Sequence, residues 1–122
     1  MSKYIDGFVL PVPKSKLAAY TRLSRKAAKI WKKHGALDYR ECVGEDLEPK
    51  KDFTGVGFQK LAKAKEGETV VFSWILYKSR KHRDKVNAKV MADPKIAEMC
   101  GKDMPFDVKR MAYGGFKSFV HA

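Results

Sequence analysis

Acidic residues, cysteine and asparagine are scarce here, and long apolar runs are absent. Asp and Glu number 14 against 26 Lys and Arg, a formal charge of +12 over 122 residues. That balance excludes acid-rich disorder and permits an anionic partner, although net charge governs association and solubility rather than fold. Two cysteines, Cys42 and Cys100, are too few for a disulfide framework, so free thiols in a reducing cytoplasm are expected. The longest nearly apolar run, Val70 to Tyr77, is well short of the roughly twenty residues a membrane-spanning helix needs. Asp6, Pro11 and Pro13 interrupt any secretory core at the N-terminus, so no targeting signal and no membrane partner are expected.

What is present suffices for one packed domain over 1–122. The chain is 44% hydrophobic and 11% aromatic. Residues 4–12 are rich in aromatic and β-branched side chains and closed by prolines, which predicts a strand. Residues 15–34 place Leu17, Tyr20, Leu23, Ala27, Ile30, Trp31 and His34 at helical spacings, with Gly35 as C-cap. A second strand is expected over 36–43. A charged connection and a short helix follow at about 44–67, the helix over 55–65. Residues 69–77 give the strongest strand pattern. Ser79 is placed to cap a helix to about 92, Asp93-Pro94 to open another, and 110–120 to form a last strand. Gly114-Gly115 within it marks a bulge or a close approach.

Two βαβ units in this order predict an α+β, ferredoxin-like protomer: a four-stranded antiparallel sheet with both long helices on one face. The third strand is apolar on both sides. Val70, Phe72, Trp74 and Leu76 point one way, and Val71, Ile75 and Tyr77 the other. No segment is left over to cover the second side, so a second copy is the expected cover, giving a homodimer of face-to-face sheets.

Several stretches carry a resemblance. They are Tyr4-Ile5-Asp6-Gly7-Phe8-Val9, Gly35-Ala36-Leu37-Asp38-Tyr39, Val70-Val71-Phe72-Ser73-Trp74-Ile75, Asn87-Ala88-Lys89-Val90-Met91-Ala92-Asp93-Pro94 and Tyr113-Gly114-Gly115-Phe116. In order along nearly the whole chain, they resemble the YbaA-like family of uncharacterised bacterial proteins. The resemblance implies a dimeric α+β barrel fold and a bacterial, cytoplasmic homodimer. It supplies no reaction. Cofactor-free monooxygenases and stress-response proteins occur in the wider superfamily, which is analogy at the level of fold alone. The chain departs from that family in its strong basicity and in a longer connection at 44–57.

Two surfaces are candidates for function. One is a pocket between sheet and helices, to which Trp31, His34, Tyr39, Trp74, Asn87, Met91, Arg110 and Tyr113 could contribute. Asn87 is the chain's only asparagine and lies near Arg83 and Met91 by helical spacing. A mostly aromatic pocket with a few polar groups suits a small apolar or aromatic metabolite. If the protein is an enzyme, chemistry of the cofactor-free monooxygenase type would use Arg110 to hold an anion and His34 or Tyr113 to move a proton. The plainer alternative places Trp31, Trp74 and Met91 in the core and pairs Arg110 with Asp107 or Asp38.

The second surface is basic. Arg22, Arg25, Lys26, Lys29, Lys32 and Lys33 line the outer side of the first helix, and Arg80, Lys81 and Lys85 extend it on the next long one. This surface could contact RNA or DNA non-specifically, or simply be solvated; no base-reading motif accompanies it. A stress-associated protein without catalysis is a third possibility. His34, His82, His121 and the two cysteines are scattered, so neither metal nor cofactor is expected. Cys42 is expected to be a small core residue and Cys100 to close a short helix.

Overall fold

The computed structural model describes residues 2–101 and 103–122. Four strands, β1 (Tyr4–Pro13), β2 (Asp38–Val43), β3 (Glu68–Tyr77) and β4 (Ala112–Lys117), form one antiparallel sheet in the order β2-β3-β1-β4. With α1 (Leu17–Lys33) crossing from β1 past β3 to β2, and α3 (Arg80–Ala92) from β3 past β1 to β4, this is the ferredoxin-like arrangement. The helical elements α2 (Phe58–Leu61) and α4 (Pro94–Met99) are short.

The alternation of β1 and β3 explains the layering. Phe8, Leu10 and Val12 on β1 and Val71, Ser73, Ile75 and Tyr77 on β3 face the helices. Ile30, Val86, Val90 and Ile96 close over one half of that face, and Tyr20 over the other. The helix ends follow local chemistry. Gly35 takes φ 113°, a left-handed value that a Cβ disfavours, and stops α1. The Ser79 hydroxyl accepts the His82 backbone N–H, and the Asp93 carboxylate accepts that of Lys95 behind Pro94.

Three expectations need correction. The helix expected over 55–65 is only Phe58–Leu61, because Lys63 turns left-handed at φ 56°. The far side of the sheet is also not wholly bare. Phe58 packs edge-on to Phe72 at 6.2 Å, and Val70 on that side is 2% exposed. Cys42 is no core residue: it pairs with Phe72 on that same outer side and is exposed. Cys100 does close α4, as its C-cap.

The strand expected over 110–120 is shorter, and Arg110 belongs to the 3-10 turn before it. Gly114 and Gly115 sit in unbroken register opposite Gly7 and Asp6, so there is no bulge. Gly115 instead provides a close approach: a Cβ there would collide with the Tyr4 ring.

Candidate functional site

A cavity of about 400 Å³ lies between the helices and the inner side of the sheet. Its walls are mostly apolar: Phe8, Leu10, Leu23, Ala27, Ile75, Ile96 and Phe106. Met91, Met99, Met104 and Met111, four of the chain's five methionines, also line it. Thioethers are flexible and polarisable, so such a wall adapts to an irregular or aromatic occupant. Two polar groups interrupt it, one around Asp6 and one around Glu41.

Asp6 enters from β1 at the parity of Phe8 and Leu10, an inward position where a carboxylate needs partners. It is 1% exposed. Arg83 of α3 donates from Nη1 to Asp6 Oδ1 at 2.6 Å. The same guanidinium donates from Nε to Asp84 at 2.8 Å and lies over the Tyr4 ring at 4.9 Å. Gly115 leaves the room in which that ring sits. Burial pushes the Asp6 carboxyl up. The Arg83 charge and hydrogen bond, and after them the nearby polar groups of Asn87 and Tyr77, pull it down, and burial prevails. Desolvation works against the charge on Arg83, yet Asp84 and Asp6 outweigh it and keep Arg83 cationic.

Asn87 is oriented by its neighbours. Trp31 Nε1, which can only donate, reaches Asn87 Oδ1 at 3.1 Å, and the Tyr77 hydroxyl reaches the same oxygen at 3.2 Å. The amide nitrogen is therefore the end left to donate, on the cavity wall that Asp6 shares. Tyr113 of β4 stacks on Phe8 at 5.0 Å and places its hydroxyl 3.3 Å from Arg83 Nη1.

The second polar group is a carboxylate held by two phenols. Tyr20 donates to Glu41 Oε1 and Tyr39 to Glu41 Oε2, each at 2.8 Å. Burial first, and then the Glu41 charge, push both phenols well above the usual tyrosine range, so they remain protonated donors. Tyr20, Tyr39, Glu41 and Ser24 also line a neighbouring hollow of about 330 Å³ beside α1 and β2, so this trio is the partition between two spaces.

Of the eight pocket residues expected from sequence, Trp31, Tyr39, Asn87, Met91 and Tyr113 lie on the cavity wall. The other three lie elsewhere. His34 hydrogen-bonds Asp93 at 2.8 Å and holds that carboxyl down at about 2. Trp74 points to the outer side of the sheet, under Arg40 at 6.0 Å. Arg110 is occupied outside the cavity by Glu68, at 2.7 and 2.8 Å, and by Asp107 at 2.9 Å. The cation beside the cavity is Arg83. Asp6 was findable as the one charge at an inward parity of an otherwise apolar strand. Arg83 was findable four residues before Asn87, one turn along the same helix face.

The basic residues Arg22, Arg25, Lys26, Lys29, Lys32, Lys33, Arg80, Lys81 and Lys85 are all exposed. Of these, only Lys33 pairs with a carboxylate among the described residues, with Asp93 at 3.5 Å. Among the described residues no three His, Cys, Asp or Glu side chains converge as a metal site would require. On the outer side of the sheet, Ile5, Val9, Phe72, Trp74, Leu76 and Phe116 form an open apolar surface.

Comparison with known proteins gives relatives but no activity. The uncharacterized protein YbaA of Escherichia coli K12 is 48% identical over 118 residues, spanning 97% of each chain. Its counterpart in Shigella flexneri matches to the same extent. A solved ferredoxin-like protein from an uncultured marine organism, described as dimeric, superposes with a TM-score of 0.55 at 12% identity. That match covers 98% of this chain and 96% of the other. The model of the DUF1428 family, proteins of unknown function, matches residues 3–108, and the chain belongs to that family.

Proposed function

We propose that this protein binds a small, mostly apolar or aromatic metabolite in the cavity between sheet and helices. The observation that carries this reading is the cavity's composition. It is an apolar, thioether-rich space with two carboxylates and an oriented amide at its walls, which is how small-molecule sites combine bulk affinity with a few orienting contacts. The matching test is isothermal titration with 2-naphthol, a planar probe with one hydroxyl. Saturable binding is expected, weakened about tenfold by Asn87→Ala, the loss of one good hydrogen bond. Binding unaffected by Asn87→Ala and by Met99→Ala would place the probe elsewhere and contradict the reading.

The functional unit in this proposal is a cytoplasmic homodimer joined through the outer side of the sheet. Its support is the exposure of Phe72 at 45% and Phe116 at 62% on one apolar surface, and a structural neighbour described as dimeric. No described helix is long and apolar enough to cross a membrane. Light scattering should give a dimer that Trp74→Glu converts to a monomer; a monomeric wild-type chain at micromolar concentration would overturn this arrangement.

A second reading, non-specific RNA or DNA contact through α1 and α3, draws on the exposed cations without carboxylate partners. Fluorescence anisotropy with labelled RNA and duplex DNA at about 50 and about 200 mM salt separates contact from solvation, since phosphate-driven binding falls steeply over that range. Micromolar binding that survives the higher salt would favour it.

A further inference from the structure

The polar group around Asp6 contains more than a binding contact. A buried carboxylate lies on the wall of an apolar space, with a single 2.6 Å bond from Arg83 on its Oδ1. Arg83 divides its charge between Asp6 and Asp84, so it neutralises Asp6 only in part. Beside it stands Asn87, whose oxygen is fully used by Trp31 and Tyr77. The Asn87 nitrogen has two hydrogens. Neither is taken by a hydrogen bond among the described residues, so both can donate to a group in the cavity. A proton acceptor and a fixed N–H donor thus face the same mostly apolar space, the pairing that charge movement from a C–H bond to a carbonyl oxygen requires.

We propose that the protein catalyses proton transfer at the carbon next to a carbonyl, on an enolisable aromatic or alicyclic ketone, with Asp6 as the proton acceptor and Asn87 as the donor to the enolate oxygen. The proposal rests on the cavity reading above. In the step, the C–H bond breaks and its proton passes to a carboxylate oxygen of Asp6. The C–H electron pair becomes the enolate double bond, and the carbonyl π pair moves onto oxygen, which accepts a hydrogen bond from the Asn87 N–H while that proton stays on nitrogen. Return of the proton from Asp6 to the same carbon gives exchange with solvent; return to a conjugated carbon moves a double bond. Nothing is oxidised or reduced, and no co-reactant is consumed. Arg83 positions Asp6 through its one bond and leaves the carboxylate able to carry a proton.

The probes are 2-tetralone and 2-indanone, with hydrogen–deuterium exchange followed by proton NMR in deuterated buffer and binding followed by tryptophan fluorescence. The wild-type chain should accelerate exchange at the carbon next to the carbonyl by about a hundredfold or more over buffer, the range of a positioned general base. Asp6→Asn should abolish the acceleration while binding changes only a few-fold. Asp6→Glu keeps the charge on Arg83 but displaces the oxygens by one methylene, so it should fold and exchange slowly even if Asp6→Asn does not fold. Asn87→Ala should retain a fraction of the rate. Ketone binding with no exchange above buffer, or Asp6→Glu and Asp6→Asn as fast as wild type, overturns the proton-transfer role alone. No saturable binding of either ketone overturns the proposal alone where 2-naphthol still binds the cavity, and the cavity reading with it where 2-naphthol fails too.

Discussion

Two arginine–carboxylate pairs in this chain have nearly the same contact distance and opposite consequences. Arg110 grips Glu68 through both terminal guanidinium nitrogens, Nη1 at 2.7 Å and Nη2 at 2.8 Å, while the Lys65 backbone N–H adds a third bond at 2.7 Å. Hydrogen bonding from Arg110 holds the Glu68 carboxyl at about 2. Arg83 reaches Asp6 through one nitrogen at 2.6 Å and gives its other contacts to Asp84 and Tyr4. There burial outweighs the pairing, and the Asp6 carboxyl is pushed up. A bidentate grip with backbone support is a structural clamp. A single bond to a buried carboxylate on a cavity wall leaves a group that can still exchange a proton.

The largest way to break this contrast is to remove the cation from the cavity side. Arg83→Leu leaves Asp6 buried without a counter-charge and should cost about 3–5 kcal/mol in urea unfolding at neutral pH. Lowering the pH should recover part of that loss, because a protonated Asp6 no longer needs its partner.

The two carboxylates should also tilt the pH dependence of stability in opposite directions. Glu68 binds its proton more weakly folded than unfolded, so its contribution is complete above the ordinary 4.5 and is lost as pH falls toward about 2. Asp6 binds its proton more tightly when folded, so its contribution rises as pH falls through its raised pKa toward the ordinary 3.8. Urea midpoints against pH should therefore show Glu68→Gln flattening the acid limb and Asp6→Asn steepening it. Asp93, held at about 2 by His34, slopes the same way as Glu68 and is common to both variants.

Smaller perturbations sharpen the same comparison. Gly115→Ala forces the Tyr4 ring from beneath Arg83 and should cost about 1–3 kcal/mol, the usual range for overpacking, with no change at the Glu68 clamp. Tyr113→Phe removes only a 3.3 Å contact to Arg83 from an exposed ring and should change stability by about 0.5 kcal/mol or less.

The contrast also shows what a sequence can and cannot display. The sheet, both long helices and their caps are legible because alternation, helical spacing, Gly35 and Ser79 act locally. The same periodicity places Trp31, Tyr39 and Asn87 on inward faces. Helical spacing sets Arg83 beside Asn87, but which carboxylate it meets is not local. Arg83 and Arg110 both lie near acids in sequence, Asp84 and Asp107, and only the packing of α3 over β1 brings Arg83 to Asp6, 77 residues away. The Glu68 partner of Arg110 is likewise 42 residues distant. Trp74 lies on the side away from the expected pocket, since β3 is apolar on both faces and its alternation does not say which one meets the helices. His34 follows the inward spacing of α1, but Asp93 at the start of α4 captures it.

The most direct test of the cavity is methyl NMR on protein labelled at the methionine methyl carbons, titrated with 2-naphthol and with Trp74 indole followed in parallel. The account predicts saturable shifts at Met91, Met99, Met104 and Met111, which share the cavity wall, and none at Trp74, which faces the other side of the sheet. Unmoved methionines, or a shift confined to Trp74, would contradict it.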